Sequence, residues 1–101
     1  MADHFSPKEP RSYTITGTEQ VMISRRRSST LNGPLYISNN GSEPIYIGFT
    51  SPDAVAGNAK PKYGITVFPQ TVQSFEDPIP NCCAVWAVCD EGKTTVIGVQ
   101  E

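Results

Sequence analysis

The sequence predicts an all-β protein, a small antiparallel β-sandwich or barrel of about seven strands with a flexible N-terminal arm. Short runs of alternating apolar and polar residues recur along the chain. Clusters of turn-forming residues separate these runs at intervals of about 8–12 residues, and no segment has the periodicity of a long helix. A chain of 101 residues is long enough for one domain with its own hydrophobic core.

The period-two pattern begins after the arm. Residues 1–11 contain two prolines and several charges without apolar periodicity, so we predict a flexible arm there and a β-sandwich domain over residues 12–101. Gly17-Thr18 predicts a bend or bulge between two halves of the first strand. The apolar residues on either side of this bend share one parity: Tyr13, Ile15, Val21 and Ile23.

Residues 35–50, L-Y-I-S-N-N-G-S-E-P-I-Y-I-G-F-T, predict a hairpin. The segments 35–38 and 45–50 alternate in polarity, and the Asn and Gly residues between them tolerate the positive φ of a tight turn. In such a hairpin Tyr36 and Tyr46 share one face.

The rest of the chain predicts four more strands. Residues 51–63 are small and interrupted by Pro and Gly, which indicates a loop. Strands are then expected at 64–68 and 71–76. The most apolar run, C-C-A-V-W-A-V-C at 82–89, predicts a central strand, and the β-branched residues of 94–99 predict the last one.

Composition narrows the classes of partner. Eight basic and ten acidic residues give a net charge of −2, so we do not expect nucleic acid as a partner. No run approaches the roughly 20 apolar residues that cross a bilayer, and the N-terminus lacks the apolar run of a signal peptide.

The odd number of cysteines, clustered at Cys82, Cys83 and Cys89, favours reduced thiols and synthesis in a reducing cytoplasm.

Residue types that support catalysis or metal binding are sparse. His4 is the only histidine and falls in the predicted arm, which leaves no fixed base for a cysteine nucleophile. The chain has no C-x-x-C pair, no phosphate-binding Gly loop and no carboxylate pair with glycosidase spacing. We therefore expect a protein that is not an enzyme and that uses no metal or cofactor.

Four phrases of the chain follow one another in a distinctive order. They are L-Y-I-S-N-N-G-S-E-P-I-Y-I-G, then A-G-N-A, then G-I-T-V-F-P-Q-T-V-Q-S-F-E, and finally A-V-W-A-V-C-D-E-G-K-T-T-V-I-G-V-Q-E. This order resembles small accessory virion proteins of tailed bacteriophages, over residues 14–101. The chain departs from the pattern at Pro69-Gln70, where Pro-Gly is usual, and in its three cysteines.

The resemblance implies a capsid decoration or cement protein, made in the host cytoplasm and located in the virion. It implies the major capsid protein or another virion protein as partner, and a homo-oligomer with a trimer favoured. A tail, neck or head-fibre base component is the alternative within this class. A carbohydrate-binding β-sandwich is the alternative from another class, and its exposed aromatic residues would be Tyr36, Tyr46, Tyr63 and Trp86. For these aromatic residues core packing is the competing interpretation.

The arm and the run Arg25-Arg26-Arg27 supply the candidate partner contacts. A charged, Pro-punctuated arm suits docking onto a neighbouring subunit, and arginine is enriched at protein interfaces. The competing interpretations of the arginines are a solvated loop and weak phosphate binding. The predicted partner-binding residues are Phe5, Arg11, Tyr13, Arg25, Arg26 and Arg27.

Overall fold

The computed structural model of the protein describes residues 9–26, 34–75 and 83–101. This part of the chain contains eight β-strands and no helix. The strands are β1 (Arg11–Thr16), β2 (Val21–Arg26), β3 (Leu35–Asn39), β4 (Ile45–Thr50), β5 (Ile65–Val67), β6 (Thr71–Phe75), β7 (Cys83–Cys89) and β8 (Thr94–Gln100). The first strand begins at Arg11, the last residue of the predicted arm, and residues 1–8 of that arm lie outside the described residues.

The strands form two antiparallel sheets of four. Sheet A has the order β1-β8-β3-β6 and sheet B the order β2-β7-β4-β5. This confirms the prediction of an all-β fold of the small β-sandwich type. Eight strands in these two orders make a jelly roll, an architecture that recurs in viral capsid proteins, lectins and cupins.

Successive strands lie in different sheets at every connection but one. Only β4 and β5 are consecutive and paired. The predicted hairpin of residues 35–38 and 45–50 is therefore wrong, because β3 belongs to sheet A and β4 to sheet B. Alternation determines which side chains face inward, but it does not determine which strand is the neighbour. The buried faces of β3 and β4 meet across the core instead of lying side by side.

The segment between β1 and β2 is also a crossing between sheets and not a bulge within one strand. The first strand pairs with β8 and the second with β7. Gly17 allows the close approach at this crossing, since a Cβ atom there would lie 2.1 Å from the carbonyl oxygen of Asp90. Two strands, β1 and β2, are therefore present where the sequence predicted one. The described chain has eight strands instead of the predicted total of about seven.

The main core lies between the two sheets, with β7 at its centre. As predicted, β7 is a central strand: it pairs with both β2 and β4, and all of its residues are buried. The core is built from buried apolar side chains of both sheets: Ile15, Ile23, Leu35, Ile37, Ile45, Ile47, Val67, Phe75, Cys83, Val85, Ala87, Cys89, Ile97 and Val99.

A second cluster on the outer face of sheet B explains why β7 is apolar on both sides. Trp86 packs there with Ala84 and Val88 under the β4–β5 loop. The indole Nε1 donates a hydrogen bond of 2.8 Å to Thr50 Oγ1. The loop passes so close that a Cβ atom on Gly57 would lie 2.5 Å from the indole ring. The core interpretation of Trp86 is therefore confirmed.

Asn39 holds the end of β3 and is fully buried. Its Nδ2 donates to the carbonyl oxygens of Glu43 at 2.8 Å and Val67 at 3.0 Å. Its Oδ1 accepts from the amide of Gly41 at 3.2 Å and from Thr95 Oγ1 at 3.0 Å. This one side chain therefore connects the β3–β4 crossing to strands of both sheets and satisfies polar groups that the core would otherwise leave unpaired.

Candidate protein-binding edge

Three of the predicted partner-binding residues converge at one edge of the sandwich. Arg11 and Tyr13 come from β1, and Arg25 comes from β2. They line a groove of about 380 Å³, which we call the β1–β2 groove. Among the described residues, its lining is Arg11, Tyr13, Met22, Ile23, Ser24 and Arg25.

Both strands that border the groove are edge strands. Among the described strands, β1 pairs only with β8, and β2 pairs only with β7. Alternate residues of an antiparallel edge strand direct their amide and carbonyl groups away from the sheet. This side of the sandwich therefore offers main-chain hydrogen-bonding groups as well as side chains.

A β-bulge in β2 determines where the arginines point. Met22 is opposite Trp86 and Ser24 is opposite Val85, which leaves Ile23 as the extra residue. Because the bulge inverts the alternation after it, Arg25 is exposed and Arg26 faces the interior with 4% exposure. A solvated loop was one interpretation of the three consecutive arginines. The structure instead places the first two in a strand, on opposite faces.

Arg11 and Arg26 both bind the side-chain carboxylate of Glu101. Arg11 Nη2 donates to Glu101 Oε2, and Arg26 Nη2 lies 3.3 Å from Oε1. Ser24 Oγ donates to Oε1 at 2.7 Å, and Arg11 Nη2 also donates to the carbonyl oxygen of Ile23 at 3.1 Å. We call Arg11, Ser24, Arg26 and Glu101 the Glu101 cluster. It joins the edge of sheet A to the edge of sheet B.

The Glu101 cluster keeps its carboxylate ionised. Burial by itself would raise the pKa of Glu101. The hydrogen bonds from Ser24 and Arg11 and the charges of Arg11 and Arg26 outweigh burial, and together they lower this pKa from its usual value. Sequence reasoning missed Glu101, because the only signal was an opposite charge many residues away from both arginines.

The six predicted residues therefore differ in their surroundings. Arg25 is exposed, Tyr13 is half-buried against the main core, and Arg26 is buried. Arg11 divides its contacts between the Glu101 cluster and the groove. Phe5 and Arg27 lie outside the described residues. Among the described residues, Arg25 and the edges of β1 and β2 that pair with no described strand are thus the parts of the predicted site that a partner can reach.

The aromatic residues of the carbohydrate-binding alternative do not form one exposed platform. Tyr46 and Trp86 are buried in the cluster outside sheet B. Tyr36 is 37% exposed on the outer face of sheet A, whereas Tyr63 is 71% exposed in the β4–β5 loop, which connects two strands of sheet B. Sugar binding by stacking requires such residues on one solvent-facing surface, and here the two exposed tyrosines belong to opposite sheets.

The two described cysteines are buried thiols. Cys83 and Cys89 face the main core and form no disulfide. Burial, the largest influence, raises the pKa of the Cys89 thiol, which opposes formation of a reactive thiolate. Cys82 lies outside the described residues.

Over residues 9–26, 34–75 and 83–101 no group of three or more metal-ligating side chains comes together. The same ranges contain no helix of the length and apolarity that a bilayer crossing requires.

The chain matches no protein-family model, no curated protein sequence and no solved structure. The resemblance to accessory virion proteins therefore stays a prediction from the sequence. A jelly roll is compatible with several functions, so the function has to be inferred from the surface of this particular chain.

Proposed function

We propose that the protein is a structural virion protein, a capsid decoration or cement protein that binds the outside of the major capsid shell and stabilises it. The observation that carries the proposal is the convergence of Arg11, Tyr13 and Arg25 in one groove beside β1 and β2, which are edge strands of the described sheets. The sequence predicts all three as partner contacts. Arginine and tyrosine are also the residue types that dominate binding energy at protein interfaces.

The proposed mechanism is the bridging of neighbouring shell subunits by a rigid module. The Glu101 cluster fixes the edge strands of both sheets to each other, so the groove is held in shape before a partner arrives. Preorganisation of this kind lowers the entropy lost on binding. An oligomer that makes several such contacts at once would dissociate slowly, because each contact raises the effective concentration of the others.

The outer face of sheet A is suited to the proposed homo-oligomer contact. Its outward side chains include no charged residue, and Tyr36, Val72 and Val96 are exposed apolar groups on it. Depletion of charge is typical of the centre of a protein interface. The outward residues of this face are Ser12, Thr14, Thr16, Tyr36, Ser38, Val72, Ser74, Thr94, Val96, Gly98 and Gln100.

Sedimentation of untagged protein from a lysate of its native host tests the proposal. We expect the protein to run with particles of viral size through a sucrose gradient at moderate salt, and to be released by mild denaturant.

Arg25→Glu should reduce the amount of protein bound to particles by roughly tenfold, which corresponds to about 1.4 kcal/mol of binding free energy. Lys62→Glu makes the same charge change at an exposed residue of the β4–β5 loop and should sediment like the wild type. Wild-type protein that stays at the top of the gradient would show the proposal to be wrong.

A further inference from the structure

The β3–β4 crossing contains an Asn-Gly pair, Asn40-Gly41, which can modify itself chemically. In such a pair the main-chain nitrogen of the glycine attacks the side-chain carbonyl carbon of the asparagine, because glycine has no side chain to hinder the approach. A bond forms between Gly41 N and Asn40 Cγ, and the bond from Cγ to Nδ2 breaks. Nδ2 leaves as ammonia, with the proton of the Gly41 amide. Water then opens the cyclic imide at either carbonyl group and leaves aspartate or isoaspartate at position 40.

The fold requires the glycine that makes this pair reactive. A Cβ atom on Gly41 would collide with the buried side chain of Thr95. Asn40 itself is exposed, so water reaches its side chain. Protection of Asn40 therefore has to come from the way in which the surrounding backbone is held. The other Asn-Gly pair of the chain, Asn32-Gly33, lies outside the described residues.

Every main-chain polar group of Asn40 and Gly41 has a hydrogen-bond partner. The amide of Asn40 donates to the carbonyl oxygen of Val96 at 2.9 Å, and the amide of Gly41 donates to Asn39 Oδ1 at 3.2 Å. Gln70 Nε2 donates to the carbonyl oxygens of Asn40 at 3.2 Å and Gly41 at 3.0 Å. Cyclisation removes the Gly41 proton and reorients this peptide group, so these bonds have to open before the reaction can occur.

The backbone of Gln70 is strained in a way that its side chain offsets. Gln70 has a left-handed φ of 62° in the turn that follows Pro69. Glycine is the residue favoured at this position of such a turn, because it alone adopts positive φ without strain. The two side-chain hydrogen bonds of Gln70 compensate for this strain, and its amide adds a bond of 2.8 Å to the carbonyl oxygen of Asn39. Gln70 thus binds the carbonyl groups of residues 39, 40 and 41.

We propose that Asn40 is a site of spontaneous deamidation and that Gln70 controls the rate of this reaction in the folded protein. The reaction proceeds from conformations in which the bonds of Gln70 are open, so its rate follows the population of those conformations. Either product adds a negative charge, and isoaspartate also lengthens the main chain by one carbon atom. Water is the only co-reactant, and the inference does not depend on the proposed function.

Incubation of the full chain at neutral pH, folded or in urea, tests the inference. Proteolysis followed by mass spectrometry measures the aspartate and isoaspartate formed at position 40 over time. We expect the wild-type rate to be at least about tenfold lower in the folded chain than in urea. Gln70→Gly keeps the left-handed turn but removes both side-chain hydrogen bonds. It should raise the rate in the folded chain by about tenfold or more.

Two controls separate the role of Gln70 from a general loss of stability. Lys62 also has a left-handed φ, of 68°, and lies in the β4–β5 loop, so Lys62→Gly makes a matched change away from Asn40 and should leave its rate unchanged. Asn58 is exposed and is followed by alanine, so its deamidation reports on unfolding elsewhere in the same chain.

Four results would overturn the inference. Equal wild-type rates at Asn40 in the folded chain and in urea would rule out protection by the fold. An unchanged rate in Gln70→Gly would rule out control by Gln70. Equal acceleration at Asn40 and Asn58 in this variant would do the same, because general unfolding would then be the cause. Absence of the reaction at Asn40 in urea would show that it is not a site of deamidation.

Discussion

Glu101→Ala should lower the free energy of unfolding by about 3–5 kcal/mol, the usual cost of removing one partner of a buried ion pair. Arg26 is 4% exposed, and its guanidinium lies 3.3 Å from the Glu101 carboxylate. The substitution removes the negative charge that faces this buried arginine. It also removes the acceptor of Ser24 and the connection through Arg11 between the two edge strands. Urea denaturation at neutral pH measures the loss.

A double variant separates the effect of the buried Arg26 charge from the other contacts of Glu101. In Glu101→Ala with Arg26→Met, the buried positive charge is absent and an apolar side chain occupies the site. We expect this variant to recover a large part of the stability lost by Glu101→Ala, because apolar replacement of a buried pair is often close to neutral. A double variant less stable than Glu101→Ala alone would show that the arginine charge is not the cause of the loss.

The same carboxylate makes stability depend on pH in a definite direction. The pKa of Glu101 is lower in the folded chain than its usual value, so the ionised form is favoured by folding. Its contribution is complete above the unfolded pKa of a glutamate, about 4.3, and is lost as the pH falls through the folded pKa. The difference in unfolding free energy between wild type and Glu101→Ala should therefore shrink in acid below about pH 4. A difference that stays constant from neutral to acid pH would contradict the ionised cluster.

Asn39→Ala should lower the free energy of unfolding by about 3 kcal/mol, because four hydrogen bonds of a fully buried side chain are lost. The carbonyl oxygens of Glu43 and Val67 and the hydroxyl of Thr95 would each lose this partner. For a domain of this size such a loss lowers the melting temperature by roughly 12–24 °C. Thermal unfolding followed by far-ultraviolet circular dichroism measures it.

The neighbouring asparagine provides a matched control. Asn40 is exposed, and its Oδ1 atom has a partner in Ser38 Oγ at 2.7 Å. Asn40→Ala should cost less than about 0.5 kcal/mol, as is usual for surface positions. Equal losses at the two positions would mean that the hydrogen bonds of Asn39 do not hold the β3–β4 crossing.

The inward side chains of the sandwich were predictable from local pattern, whereas the neighbours of each strand were not. Period-two alternation placed Ile15, Ile37 and Ile45 on buried faces, and all three are fully buried. Turn-forming residues such as those of N-N-G-S-E-P fit a hairpin and a crossing between sheets equally well. Whether a hairpin or a crossing forms depends on which strands from distant parts of the chain pair with each segment. Here β8 and β6 lie on the two sides of β3, so β4 is not its neighbour.

The candidate site was predictable in its residue types but not in its geometry. Sequence reasoning selected Arg11, Tyr13 and Arg25, which the fold brings into one groove. The bulge at Ile23, which turns Arg26 inward, follows from pairing with β7 and has no signature in the sequence of β2 alone. Glu101 was missed because its partners are 75 and 90 positions away, a distance over which only the folded chain creates a contact.

The most direct test of the central claim is the heat stability of the shell with and without this protein. Particles assembled in the absence of the protein are mixed with the purified wild type or with Arg25→Glu, and the temperature at which each shell releases its DNA is measured. We predict that the wild type binds and raises this temperature, and that Arg25→Glu raises it less at the same protein concentration. A release temperature that the wild-type protein leaves unchanged, at concentrations that saturate the particles, would contradict a role in stabilising the capsid.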